Sequence, residues 1–169
     1  EFHRLASSLE DSCWPGWSAA PRAIILVSDS VEFLISHPAP SPDFKSIGWD
    51  STLGAEVFWR KRVFSPQFEA TFPAIDITPT IVIGRAENTA SKKSTRWITT
   101  LMHEHFHQLQ TSRPGYYASV DSLDLSGGDM TGMWMLNYPF PYDSLPIATE
   151  FNGLCADLNK LLITVDADS

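Results

Sequence analysis

The sequence predicts an α+β fold, and three features carry that reading. Short β-branched apolar segments fill the chain up to Gly84, an amphipathic helical stretch begins beyond Ser91, and a second helical stretch follows a long loop-rich interval. Strands first and helices afterwards is the order of an α+β chain, not of an alternating α/β one. The 169 residues suffice for one ordinary domain with a hydrophobic core. The expectation is an irregular lead-in at 1–22 and a single domain over 23–169, open to truncation at its C-terminal end.

Taken in order, residues 1–22 mix Trp14, Pro15, Gly16, Trp17 and Pro21 with polar residues and show no sustained period. Ala23 to Val27 and Val31 to Ile35 are apolar segments around Ser28-Asp29-Ser30, the spacing of a hairpin. His37 to Pro42 carries three prolines and breaks regular structure, whereas Ala55 to Val63 and Phe68 to Phe72 are again strand-like. Thr80 to Gly84 is β-branched and apolar, the signature of a buried strand. Ser91 or Ser94 is placed to cap a helix in which Trp97, Ile98, Leu101, Met102 and Leu109 recur at three- and four-residue steps, and Pro114-Gly115 stops it. Tyr116 to Pro146 reads as a long loop, a length that is usually functional. A second helix is expected from about Ile147 to Leu162, with Leu154, Leu158, Leu161 and Leu162 on one side.

Composition removes several function classes. At 43% hydrophobic and 19% charged residues the chain has the material for a packed core and lacks the signature of disorder. Its formal net charge of -8, with basic residues gathered only at Arg60-Lys61-Arg62 and Lys92-Lys93, opposes binding to a polyanion such as nucleic acid. Apolar runs such as Ala23 to Val27 are far shorter than the roughly 20 residues that cross a bilayer. The missing initiating Met reads as a mature form, an excised fragment, or a cloning remnant at Glu1-Phe2. Cys13 and Cys155 lack Cys-x-x-Cys spacing; they form a disulfide only if the fold joins them, and alone they cannot build a structural zinc site.

The chemistry concentrates in His103-Glu104-His105-Phe106-His107. Residues four apart on a helix stand one above the other, so His103 and His107 can turn ring nitrogens toward one zinc ion. Glu104 lies about 80° round the helix from their midpoint, suited to act as a general base on an activated water without taking the same coordination vector. His105 projects elsewhere, among Ile98, Leu101 and Leu109, and is expected to pack there; Gln110 shares the metal-facing side in a supporting role. His3 and His37 have no partner at ligand spacing.

Catalytic zinc takes about three protein ligands, so a further donor is needed. Glu150, near the start of the second helix and beside Gly153, is the candidate; Asp157, seven residues on, can orient a ligand histidine or replace Glu150. Each competes with a plain surface charge. Tyr116, Tyr117, Tyr138 and Tyr142 are candidate oxyanion donors as well as packing aromatics. The run from Gly127 to Met135 implies tight turns and a Met and Trp floor that shapes a cleft.

At His103-Glu104-His105-Phe106-His107 the chain resembles the zincin metallopeptidases, and Glu150 makes it look like their gluzincin branch, to which thermolysin belongs. That resemblance implies a zincin-like mixed sheet whose edge strand, Thr80 to Gly84, holds an extended peptide beside the zinc, with an active-site helix and a second metal-ligand helix. The implied ligands are His103, His107 and Glu150, with Glu104 catalytic. The chain departs from the metzincin pattern, having no Gly and third His at the expected spacing, and Leu154 stands four residues after Glu150 where thermolysin-like enzymes place an Asp. The wording His-Glu-His-Phe-His-Gln also resembles uncharacterised bacterial proteins of exported type. The leading expectation is thus an exported zinc metallopeptidase acting on a peptide or small amide substrate. The alternatives are a zinc hydrolase of a non-peptide amide or ester and a zinc-retaining binding domain without turnover. An exposed strand edge favours peptide and a closed pocket a small molecule.

Overall fold

The computed structural model of the chain describes residues 1–129 and 133–167, apart from the side chains at 10–13, 133, 136 and 161–167. The apolar segments form strands as expected. β1 (Ile24–Val27) and β2 (Val31–Ile35) make an antiparallel hairpin. Ser28 closes its turn, its N–H and hydroxyl donating to the Val31 carbonyl at 2.9 and 2.8 Å. β4 (Ala55–Lys61), β5 (Glu69–Ile75) and β6 (Thr78–Gly84) follow, and a strand without a sequence signal, β3 (Lys45–Asp50), pairs with β4. The six strands form one mixed sheet in the order β3-β4-β2-β1-β6-β5.

The β1–β6 pair is parallel and the other four are antiparallel. The Thr80 to Gly84 strand is therefore not the edge that the resemblance implies. β6 is bounded by β1 and β5, and its Ile81, Val82 and Ile83 are fully buried because both faces of the sheet are covered. The edge is β5. Gly84 ends β6 under Pro66: a Cβ there would lie 1.7 Å from the Pro66 carbonyl oxygen, so only glycine fits.

Side-chain alternation sends Ile81 and Ile83 to one face, with Ile24, Ile35, Leu101, Phe2 and Ala6, and sends Val82 to the other, with Ile25, Val27, Leu34 and Phe44. The first face is covered by α1 (Phe2–Cys13) and α2 (Ser94–Thr111). Residues 2–13, read from the sequence as irregular, are thus a helix, whose Phe2 and Ala6 repeat at a four-residue step and enter the core. On the opposite face Glu32 is wholly buried, accepting from Arg60 Nε at 2.8 Å and the Val63 N–H at 2.7 Å; Arg60 also reaches Asp43 at 2.8 Å. The first charge of the Arg60-Lys61-Arg62 cluster is thereby neutralised within the fold, which weakens that cluster further as a polyanion site.

Neither serine caps α2. Its N-cap is Lys93 without a side-chain bond, and Ser91 Oγ instead meets Thr100 Oγ1 at 2.8 Å. Tertiary bonds hold the helix in place. Trp97 Nε1 donates to the Gly84 carbonyl at 2.9 Å, and the fully buried Gln108 donates through Nε2 to the carbonyls of Ala23 and Pro79 at 2.8 and 2.9 Å. Trp97 meets the end of β6 and Gln108 its start, so α2 runs antiparallel to β6 and alongside β5.

The chain forms two compact units, Glu1–Val120 and Asp121–Ser169. The expected loop from Tyr116 contains two short helices, α3 (Tyr116–Asp121) and α4 (Met133–Asn137). Gly127 and Gly128 have φ of 58° and 92°, the tight turns their pairing implies, whereas Met130 to Gly132 lie outside the described residues. α5 (Leu145–Ala167) starts earlier than expected, since Pro146 is tolerated in a first turn. Leu154 and Leu158 are exposed on it, and the side chains of Leu161 and Leu162 lie outside the described residues. No described helix is long and apolar enough to cross a membrane.

Candidate metal centre

α2 turns His103 and His107 outward and buries Glu104, His105 and Gln108. His103 and His107, one turn apart, place their Nε2 atoms 3.1 Å from each other with the rings nearly perpendicular at 88°. Two imidazoles bound tetrahedrally at 2.0–2.1 Å would hold their nitrogens about 3.3 Å apart, so the pair already stands at the separation one zinc ion requires. Glu104 supplies a carboxylate oxygen to the same cluster: one donor atom from each of His103, Glu104 and His107 lies within 4.8 Å of the others. His103 is exposed and His107 half-buried, which leaves the nitrogens open to an ion, while Glu104 is buried beneath them at 6% exposure.

The tautomer of His107 follows from its neighbour. Gln110 Oε1 lies 2.8 Å from His107 Nδ1, so the proton sits on Nδ1 and the Nε2 lone pair is left for a metal. The supporting role expected of Gln110 thus has a specific form.

Glu104 is held from the sheet. Thr71 on β5 places its hydroxyl 2.8 Å from Glu104 Oε2 and 3.0 Å from the Glu104 carbonyl. Sequence reasoning missed Thr71, because nothing local marks a strand threonine 33 residues away as the partner of a helix carboxylate. It also missed Gln108, whose two donors go to backbone carbonyls; its Oε1 must then accept from His105 Nδ1 at 2.9 Å. His105 is fully buried, edge-on to Phe2 and Trp17, and burial holds its pKa below the usual histidine value against the pull of Gln108. It is buried in the core, with the Phe2 and Trp17 rings against it and the Gln108 amide as its side-chain partner.

The remaining sequence candidates divide by unit. Tyr116 lines a shallow cavity of about 190 Å³ with Trp14, Phe106, Gln110 and Arg113, directly beyond the histidine pair along α2. Tyr138 and Tyr142 belong to the second unit and are exposed. Glu150 and Asp157 lie on α5 in that unit, both exposed, with Asp157 paired to Lys160 at 2.9 Å; neither belongs to the donor cluster found among the described residues. Cys155 is an exposed free thiol, and the Cys13 side chain lies outside the described residues. His3 packs edge-on against Phe2, and His37 is buried with Nδ1 accepting from the Ala39 N–H at 3.1 Å.

No family model, curated protein or solved structure matches this chain.

Proposed function

We propose that this chain is a zinc-dependent hydrolase of zincin type that cleaves peptide bonds. One observation carries the reading: two histidine Nε2 atoms stand 3.1 Å apart on one helix turn, with a buried carboxylate in the same cluster. A surface histidine pair kept for solubility needs neither a fixed tautomer nor a carboxylate anchored beneath it. His103 and His107 hold the ion, and Glu150 is the proposed third protein ligand.

A bound zinc ion supplies a Lewis acid and lowers the pKa of an attacking water toward about 7. Glu104 takes the proton from that water as it attacks the carbonyl carbon and gives it to the leaving amine as the C–N bond breaks. Its burial removes competing solvent from the path of the proton. Gln110 keeps His107 in the tautomer that donates a lone pair.

The sheet edge favours a peptide over a small enclosed substrate. The Gly84 N–H donates to the Phe68 carbonyl, so alternation along the antiparallel pair turns the N–H and C=O of Ala70 and Phe72 toward β6 and those of Glu69 and Thr71 toward the open edge. An extended chain can pair there beside Glu104. The cavity past Gln110 is shallow, which suits a substrate side chain better than a whole small molecule. The test is hydrolysis of a mixed peptide pool by zinc-loaded protein, read by mass spectrometry, with Glu104→Gln as control. New termini that depend on Glu104 support the reading, and a pool left intact by fully loaded protein opposes it.

A further inference from the structure

We infer that Thr71 is the positioning residue for Glu104: its hydroxyl fixes the carboxylate for proton transfer and ties that group to the open edge of the sheet. This rests on the reading of Glu104 as general base. The Thr71 hydroxyl lies within hydrogen-bond reach of both the carboxylate and the backbone carbonyl of one residue, at 2.8 and 3.0 Å. It has one proton, and the charged carboxylate is the stronger acceptor, so the donor bond goes to Oε2. That bond anchors the Glu104 carboxylate on the helix to the β5 strand. With Oε2 committed to Thr71, Oε1 is the oxygen available to take a proton.

The position of Thr71 in the sheet gives this bond its wider role. Thr71 is paired with Ile81 and shares its face, which points the hydroxyl at α2, whereas its backbone N–H and C=O face away from β6. One residue thus presents hydrogen-bonding groups to the open edge with its main chain and orients the base with its side chain. An extended chain paired on β5 bonds to the residue that sets the carboxylate, so displacement of β5 displaces the base.

Thr71→Val keeps the shape and removes the hydroxyl, while Thr71→Ser keeps the hydroxyl and removes the methyl. Crystal structures of the zinc-loaded wild type and both variants report the Glu104 carboxylate directly, and hydrolysis of fluorescently labelled casein reports kcat and KM. Misplacing a reacting group by about 1 Å can cost on the order of 100-fold in rate. The expected result is a carboxylate rotated from its wild-type position in Thr71→Val, with kcat lower by about 10–100-fold, KM within about twofold and zinc content unchanged. Thr71→Ser should match the wild type in both readouts. A carboxylate unmoved in Thr71→Val overturns the inference, and so does a serine variant that behaves like valine, since the methyl would then be what matters. If Thr71→Val does not fold, Thr71→Ala against Thr71→Ser makes the same comparison. A wild type without hydrolytic activity would defeat the proposed function, while the carboxylate position would still decide the role of Thr71.

Discussion

Replacing Gln110 by Leu should weaken zinc binding without abolishing it. The structure sets the size of the effect. Gln110 Oε1 accepts from His107 Nδ1 at 2.8 Å, and the ring is only half-buried, so without this bond the imidazole can rotate and can carry its proton on Nε2. Loss of an outer partner of a ligand histidine typically costs about 10–100-fold in metal affinity, or about 1.4–2.7 kcal/mol. Leu preserves most of the side-chain volume, so the change acts on the bond more than on the packing of Trp14 and Phe106 nearby. The assay is competition for zinc against a chromogenic chelator at pH 7.5, with His107→Ala as the reference for full ligand loss. Gln110→Leu should fall between wild type and His107→Ala. Affinity equal to wild type would exclude this role for Gln110, because His107 would then need no help to present Nε2; affinity as low as His107→Ala would make Gln110 a ligand itself.

Other outcomes follow from the same geometry. Glu104→Gln should retain zinc and lose hydrolysis by orders of magnitude, measured on the peptide pool with metal analysis alongside. Glu150→Ala should lose zinc as the histidine variants do, and Asp157→Ala should weaken binding by no more than about 100-fold; full zinc in Glu150→Ala would remove it from the ligand set. Gly84→Ala should destabilise the chain by about 3 kcal/mol in urea unfolding, because the added Cβ meets the Pro66 carbonyl oxygen at 1.7 Å, whereas Gly153→Ala, with nothing within 4 Å, should be neutral or stabilising. Burial holds the pKa of His37 below its ordinary value against the pull of Asp76 and the Ile75 backbone, and the Ala39 N–H needs the Nδ1 lone pair. The unfolded chain then binds the extra proton first, so this contribution is intact above about pH 6.5 and is lost as pH falls toward the folded pKa, by at most about 1.4 kcal/mol per pH unit. His37→Gln should flatten the fall in thermal stability between pH 7 and 5, and an unchanged slope would remove His37 as its source.

What the sequence disclosed and what it hid differ by the range of the interactions involved. β1, β2, β6 and α2 were legible because burial imposes local patterns, β-branched runs in the strands and three- and four-residue steps in the helix. β3 was hidden because a sparsely buried edge strand, Lys-Ser-Ile-Gly-Trp-Asp, has no face that must be apolar. α1 carried its apolar spacing in so short a stretch, beside Trp14-Pro15-Gly16, that the punctuation obscured it. Placing the Thr80 to Gly84 strand at the edge failed for a different reason. Its parallel neighbour β1 lies more than 50 positions earlier, and no local pattern reports who pairs with whom. The motif histidines and Glu104 were legible from helical geometry alone, whereas Thr71 was not, since its role exists only once β5 is laid beside α2.

A metal held by His103 and His107 is detected by elemental analysis of the purified chain after dialysis against trace zinc. About one zinc per chain is expected in the wild type and in Glu104→Gln, and well below one in His103→Ala and in His107→Ala. Zinc retained at full stoichiometry in both histidine variants, or none in the wild type, would contradict it.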